Sequence, residues 1–421
     1  MRIIAKEEMN RLVLIGNGFD LAHGLKTKYE HFIEWYWEDW GRRLLRGQSK
    51  DESDGLCSFT LKDNINLNSW AYVWGWHYQR KNPLEPWDPK EVIKIVKEDK
   101  DLCEFKYIGS FLERICHSIS TKRWVDIENE YYDLLVQYAK EESPKTIIDE
   151  LNKQLFVLQE KLIEYLSGVN SQEVSINNEI KRRIYAPFSE RDIAIEGRHA
   201  WNEHIKYGLN LDENEWRHKL WQYGKDNVSC MSYVKSFKQK FEKKEEILEC
   251  DKTEFLLPNH IMLLNFNYTK TAELYVSPES GFTINHIHGN LNKPESVIFG
   301  YGDELDENYK KLENLRECDG LRNIKSIKYL EADNYRKVLE FIESEPYQIL
   351  IMGHSCGNSD RTLLNTLFEH KNCVSIKPYF YKIDQQETNY LELAQNISRN
   401  FTDMKLMRDR VVNKVYCEPL T

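Results

Sequence analysis

Three short stretches of this chain carry residue types suited to holding and cleaving a nucleotide. They are Gly16-Asn17-Gly18-Phe19-Asp20; Asn267-Tyr268-Thr269 with His288-Gly289 further on; and Gly353-His354-Ser355 with Asp360. Glycines at 16 and 18 would let the backbone approach a phosphate, and a helix starting there would favour its charge. The plainer alternative is a tight strand-to-helix turn with Asp20 as N-cap. Asn267 can hold a sugar hydroxyl or a water but cannot act as a base; it can equally cap a helix starting near Thr269. His288 suits proton transfer near neutral pH. His286 and His288 alternate on an expected strand, so they would share a face and could ligate a metal. No third ligand has matching spacing, and a buried structural histidine is the remaining reading. Gly353-His354-Ser355-Cys356-Gly357 also spells the Gly-x-Ser-x-Gly elbow of hydrolases. Such a triad needs an acid and then a histidine after the serine. Only His370 follows, on the helix expected just beyond, so the triad fails on the order of its parts. The turn is read instead as a Gly/Ser loop suited to a ribose or phosphate.

Each stretch begins where a strand is expected to end. Leu12-Val13-Leu14-Ile15, Ile261-Met262-Leu263-Leu264, Thr283-Ile284-Asn285-His286-Ile287, Val297-Ile298-Phe299 and Ile349-Leu350-Ile351-Met352 are short apolar runs. Residues 375–381 form another, placed at an edge because Pro378 cannot donate to a ladder. Helical patterns follow at 361–370 and 387–399. Strands alternating with helices predict an α/β fold with a doubly wound parallel sheet, whose ligand sits at the carboxyl ends of the strands. All eleven tryptophans lie between Trp35 and Trp221. That region carries helical stripes, including Leu155, Leu158, Leu162 and Leu166, and Trp124, Ile127, Tyr131, Leu134 and Leu135; residues 51–89 read as loop-rich. The expected organisation is a Rossmann-like nucleotide-binding domain, 1–30 and 255–421, interrupted by a mostly helical insertion, 31–254. Asp126, Glu128 and Glu130 in the insertion read as exposed helix carboxylates, with an acidic site as the alternative.

Of 421 residues, 68 are acidic and 58 basic, for a net charge of -10. A phosphate backbone would be repelled on average, which disfavours nucleic acid as a partner. Lys235, Lys238, Lys240, Lys243 and Lys244 are interspersed with Glu242, Glu245 and Glu246 and read as a solvated helix face. The nine cysteines (57, 103, 116, 230, 250, 318, 356, 373 and 417) include no CxxC pair. That argues against a zinc ribbon and for reduced thiols in a cytoplasm. No signal peptide pattern opens the chain, and no run approaches the ~18 apolar residues of a membrane span.

The run Leu14-Ile15-Gly16-Asn17-Gly18-Phe19-Asp20-Leu21-Ala22-His23-Gly24-Leu25-Lys26-Thr27-Lys28-Tyr29 closely resembles the opening motif of the AbiH family of phage abortive-infection proteins. Gly353-His354-Ser355 with Asp360 resembles its closing motif. The order of motifs is also similar to the sirtuin-like fold of bacterial defence NADases: a glycine turn, a helical insertion, an Asn-Tyr turn with a glutamate six residues on (here Glu273), a His-Gly, and a Gly-x-Ser loop. That resemblance implies hydrolysis of NAD as substrate, with no metal. Asn267 would hold the nicotinamide ribose and the attacking water, and His288 would be the acid-base residue. Gly16, Asn17, Gly18, Phe19 and Asp20 would cradle the pyrophosphate, with Tyr268, Gly353, His354, Ser355 and Asp360 completing the nucleotide site. Asp20 would either hold a ribose hydroxyl or stabilise developing positive charge. Three departures stand out: Thr269 in place of an aspartate, Gly16-Asn17-Gly18 in place of Gly-Ala-Gly, and no four-cysteine zinc module. The last argues against protein deacetylation. The expected protein is a cytoplasmic anti-phage effector, homo-oligomeric and regulated through its insertion by a phage-derived trigger or partner protein. The alternatives are a nucleotide-sensing module without turnover, favoured by Thr269, and a metal-dependent hydrolase or nuclease using His286 and His288.

Overall fold

A computed structural model describes residues 8–63, 69–77, 86–122, 125–223, 238–240, 242–243, 256–277, 280–315, 319–384 and 387–421. Trp124, Cys230, Lys235, Lys244, Glu245, Glu246, Cys250 and Cys318, on which expectations were placed above, lie outside the described residues.

Eight strands are described: β1 (Asn10–Ile15), β2 (Asp51–Ser53), β3 (Cys57–Leu61), β4 (Cys103–Tyr107), β5 (Ile261–Asn265), β6 (Thr283–His286), β7 (Tyr347–Met352) and β8 (Cys373–Tyr379). Five of them make one all-parallel sheet in the order β6-β5-β1-β7-β8. The α/β class with a parallel sheet is therefore as expected, and β8 is its edge, with Pro378 opposite Ile351. Every residue of β1, β5 and β7 is buried. That explains why these strands read as continuous apolar runs: a parallel sheet is covered on both faces. Alternate residues face alternate layers. Leu12, Leu14, Leu264, Ile349 and Ile351 join one core with Val338, Ile342, Leu363, Leu367 and Ile397 from later helices. Val13, Ile15, Leu263, Leu350 and Met352 join the other with Phe19, Ile180 and Ile184. From β1 the sheet grows outward through β5 and β6. It then restarts on the other side of β1 with β7 and β8, so its order reverses between β1 and β7.

Two expectations about strands need correction. Val297-Ile298-Phe299 is buried but is not a strand; it follows the turn Pro294–Ser296, and Ile298 N–H donates to His288 O at 2.9 Å. The region read as helical and loop-rich contains an antiparallel sheet, β2-β3-β4. In β3, Cys57, Phe59 and Leu61 alternate buried with half-buried neighbours, but three apolar positions are too few to fill a periodicity window. The helical stripes are real: Pro144–Asn170 buries Leu151, Leu155, Leu158, Leu162 and Leu166, and Ile127–Tyr138 buries Tyr131, Leu134 and Leu135.

By contact the chain divides into a sheet-bearing unit, Met1–Leu25, Gln172–Ile298 and Lys328–Thr421, and a second unit, Lys26–Ser171 with Phe299–Ile327. The tryptophans do not follow that division, because Trp201 and Trp216 pack with Val374 of β8. Nor are Glu128 and Glu130 exposed carboxylates. Glu128 pairs with Lys325 at 2.9 Å and accepts Gly300 N–H, while Glu130 binds Arg114 and Ser118, each at 2.6 Å. Asp126 caps its helix by accepting from Glu128 N–H and Asn129 N–H. Lys238, Lys240 and Lys243 are not buried. Among the described residues no helix is long and apolar enough to cross a membrane.

Candidate functional site

The glycine motifs meet where the strand order reverses. Gly16 follows β1 and is the N-cap of the short helix Asn17–Ala22; Asp20 lies inside that helix and does not cap it. Gly353 follows β7 with φ +77°, a conformation that favours glycine. A Cβ on Gly353 would lie 2.1 Å from Phe19 N, and one on Gly16 would lie 2.5 Å from His354 Cα. Gly18 N–H donates to Gly353 O at 2.8 Å and Phe19 N–H to Gly16 O at 2.9 Å. These glycines let two turns pack backbone to backbone, and the Gly18 and Phe19 amides are already engaged. Phe19 is a core residue, its ring 5.3 Å from that of Tyr275. Asn17 is the exposed residue of the turn.

Beside it lies a buried carboxylate. Asp20 Oδ2 accepts from Thr269 Oγ1 at 2.7 Å, while Asp20 Oδ1 is buried with no hydrogen-bond partner. Burial raises the Asp20 carboxyl to about 6, against weaker lowering by Thr269, Thr271 and Asn267. The threonine found where the sirtuin-like pattern has an aspartate thus contacts a carboxylate contributed by the first motif. Asn267 caps no helix. Its Nδ2 donates to Gly16 O at 3.0 Å, and its N–H donates to Asn265 Oδ1 at 3.1 Å. Asn265, the fully buried last residue of β5, also points Nδ2 at His286 Nδ1, 3.2 Å away.

A third group closes the cluster. Asp360 lies between two histidines, Oδ1 3.2 Å from His288 Nε2 and Oδ2 3.5 Å from His354 Nε2. All three side chains are buried. Phe266 fills the space between the rings, its centroid 5.3 Å from that of His288 and 4.1 Å from that of His354. The Tyr329 hydroxyl is 3.1 Å from His288 Nε2. Nothing local in the sequence pointed to Phe266 or Tyr329; only their position in the folded chain brings them here.

The remaining candidates scatter. β6 ends at His286, so the alternation argument does not reach His288, and the two histidines take different partners. His286 Nε2 meets Glu273 Oε1 at 3.2 Å; burial lowers the His286 pKa, opposed by Glu273. Tyr268 donates its hydroxyl to Ile298 O at 3.0 Å. Ser355 is exposed, and the residues of its turn with left-handed backbone are Gly353 and Cys356 (φ +54°), so the serine is not on a strained elbow. That turn is held by Cys356 N–H donating to His354 Nδ1 and Asn400 Nδ2 donating to Cys356 O. Among the described residues no group of three or more His, Cys, Asp or Glu is arranged to hold a metal ion.

The structure therefore joins Gly16, Gly18, Gly353 and His354 through backbone packing, Asp20 to Thr269, and His288 to Asp360 and His354. All sit at the carboxyl ends of β1, β5, β6 and β7. No curated protein matches the chain, and no solved structure does. The family described as "Bacteriophage abortive infection AbiH" matches residues 12–382. A match of that span, carrying all three motifs at the site, places this chain in the AbiH family of bacteriophage abortive-infection proteins.

Proposed function

We propose that this AbiH protein acts in abortive infection by hydrolysing the nicotinamide–ribose bond of NAD or a related nucleotide. The observation that carries the reading is the gathering of Asn267, Asp20 and the His288–Asp360 pair at the point where the sheet order reverses. Ligands of open α/β sheets bind there. Cleavage of an N-glycosidic bond passes through an oxocarbenium-like state. The C1′–N bond breaks and its electron pair goes to the ring nitrogen of nicotinamide, cancelling that ring's charge. A water oxygen bonds to C1′ and its proton goes to a base. Nicotinamide leaves readily, so the site needs only a held sugar, a placed water and a proton acceptor. Asn267 would hold the ribose and the water, and His288 would take the proton. Asp20 supplies the carboxylate that the cationic sugar requires. The Gly16–Gly18 turn would meet the nucleotide through Asn17, since the Gly18 amide is engaged. Rossmann-like winding, a phage-derived trigger and an active homo-oligomer belong to the same proposal.

Nicotinamide release from NAD tests it. We expect turnover by the wild type, reduced by about 100-fold or more in Asn267→Ala and His288→Ala. Thr269, where the sirtuin-like pattern has an aspartate, favours one competing reading, a nucleotide sensor without turnover. Saturable NAD binding with no release of nicotinamide, even with phage lysate added, would select the sensor.

A further inference from the structure

We infer that His286, braced by Glu273, is a positioning residue for Asn267 and acts on it through Asn265. The reading above is needed only for what Asn267 then does to a substrate. The links are hydrogen bonds whose directions the backbone dictates. Asn267 N–H can only donate, and it meets Asn265 Oδ1 at 3.1 Å. The Thr269 carbonyl can only accept, and it meets Asn265 Nδ2 at 3.3 Å. Turning the Asn265 amide over would set donor against donor at Asn267 and acceptor against acceptor at Thr269. Its orientation is therefore fixed, and the second Nδ2 hydrogen falls to His286 Nδ1, 3.2 Å away.

His286 must then present a lone pair at Nδ1. The one proton of a neutral imidazole goes to Nε2, where Glu273 Oε1 accepts it at 3.2 Å. Both ring nitrogens thus meet a partner of the right sense. Burial favours the neutral ring by lowering its pKa, against the opposing pull of Glu273. The strand end that carries the ring is anchored in turn, since Asn334 Nδ2 donates to His286 O at 2.8 Å. Asn265 is fully buried, so an Nδ2 hydrogen deprived of His286 would go unsatisfied where water cannot relieve it. Its amide would then turn in search of an acceptor, and the Asn267 N–H bond at the other end of that amide would loosen. Asn267 itself spans two motifs, because its Nδ2 donates to Gly16 O at 3.0 Å. Its placement therefore depends on an amide that His286 holds still.

The test reads the Asn267 amide directly. Phe266–Asn267 is the one Phe-Asn pair in the sequence. Full-length protein labelled with 13C-carbonyl phenylalanine and 15N-asparagine therefore gives a single carbonyl-coupled amide signal. In the wild type it should lie downfield and be protected from exchange with solvent. His286→Leu should shift it upfield and speed its exchange by about 10-fold or more. His286→Asn, whose Oδ1 stands where the ring Nδ1 stood, should keep it. An unaltered amide in His286→Leu overturns the inference, as does a His286→Asn protein that behaves like His286→Leu. If His286→Leu does not fold, the wild type decides by long-range 1H–15N correlation on 15N-histidine protein at about pH 8, assigned with His286→Asn. His286 is expected as Nε2–H, and an Nδ1–H form overturns the inference. A protected amide and an Nε2–H ring without nicotinamide release would sink the hydrolase reading alone. Release from a protein whose Asn267 amide ignores His286 would sink this one alone.

Discussion

Burial holds the Asp20 carboxyl at about 6, against its usual 3.8. The native state thus binds this proton more tightly than the unfolded chain does. Stability from this group is complete below about pH 4 and is lost as pH rises through about 6. The loss is up to ~3 kcal/mol at neutral pH. A cost of that kind persists at a site that needs the charge. Asp20→Asn should therefore raise the melting temperature at pH 7.5, flatten the pH 4–6 slope of unfolding free energy in urea, and abolish nicotinamide release. An unchanged slope would show that the titration belongs to another group. The carboxylate also changes the meaning of Thr269. That substitution argued for an inert site, yet Thr269 donates to Asp20, so the negative charge is present on a different element.

At the scale of elements, the site is a meeting of turns. Gly353 and Gly24 have nearly the same backbone conformation, φ +77° and +79°, but different surroundings. A Cβ on Gly24 would meet nothing within 4 Å, while one on Gly353 would strike the Phe19 backbone at 2.1 Å. Gly24→Ala should cost about 1 kcal/mol, from backbone strain alone. Gly353→Ala adds a clash that no side-chain rotation relieves, and should cost more than ~3 kcal/mol. Denaturant unfolding of the two variants separates the terms. Equal losses would mean that the turns do not approach closely. The same approach explains why glycine spacing is ambiguous in sequence: contact with a phosphate and contact with another backbone require the same missing side chain.

At the scale of the whole molecule, residues 299–327 belong to one unit with Lys26–Ser171, although residues of the sheet-bearing unit flank them in sequence. The Glu128–Lys325 pair and the stacked Tyr132 and Tyr301 rings, 3.8 Å apart, hold that segment. Lys325→Met would leave Glu128 buried without the cation it pairs with, costing ~3–5 kcal/mol. Calorimetry should show a lowered transition, and Glu128→Leu added to Lys325→Met should restore much of it. A double variant as unstable as the single one would contradict this account. In cells, the wild type should reduce phage plating and deplete NAD on infection, and Asn267→Ala should do neither. Protection by Asn267→Ala with NAD intact would remove the proposed chemistry while leaving the family's defence role.

The sequence by itself determined five of the six short runs read as strands, the wrong one being Val297-Ile298-Phe299, as well as which stripes become helices and where along the chain the polar motifs stand. Those are local properties: doubly buried strands leave continuous apolar runs, long helices leave a 3.6-residue period, and glycine marks turns. The family is legible for the same reason, since its motifs are contiguous. Only the tertiary structure decided that Gly18 bonds Gly353, that Thr269 bonds Asp20, and that Asp360 lies between His288 and His354. It also separated His286 from His288, placed Tyr329 on the site, and made Glu128 a buried partner of Lys325. Apart from the His286 and His288 pair and from His354 and Asp360, which are six residues apart, these partners lie tens to hundreds of residues apart in sequence. No periodicity links them, and burial alone decides which polar groups must find each other.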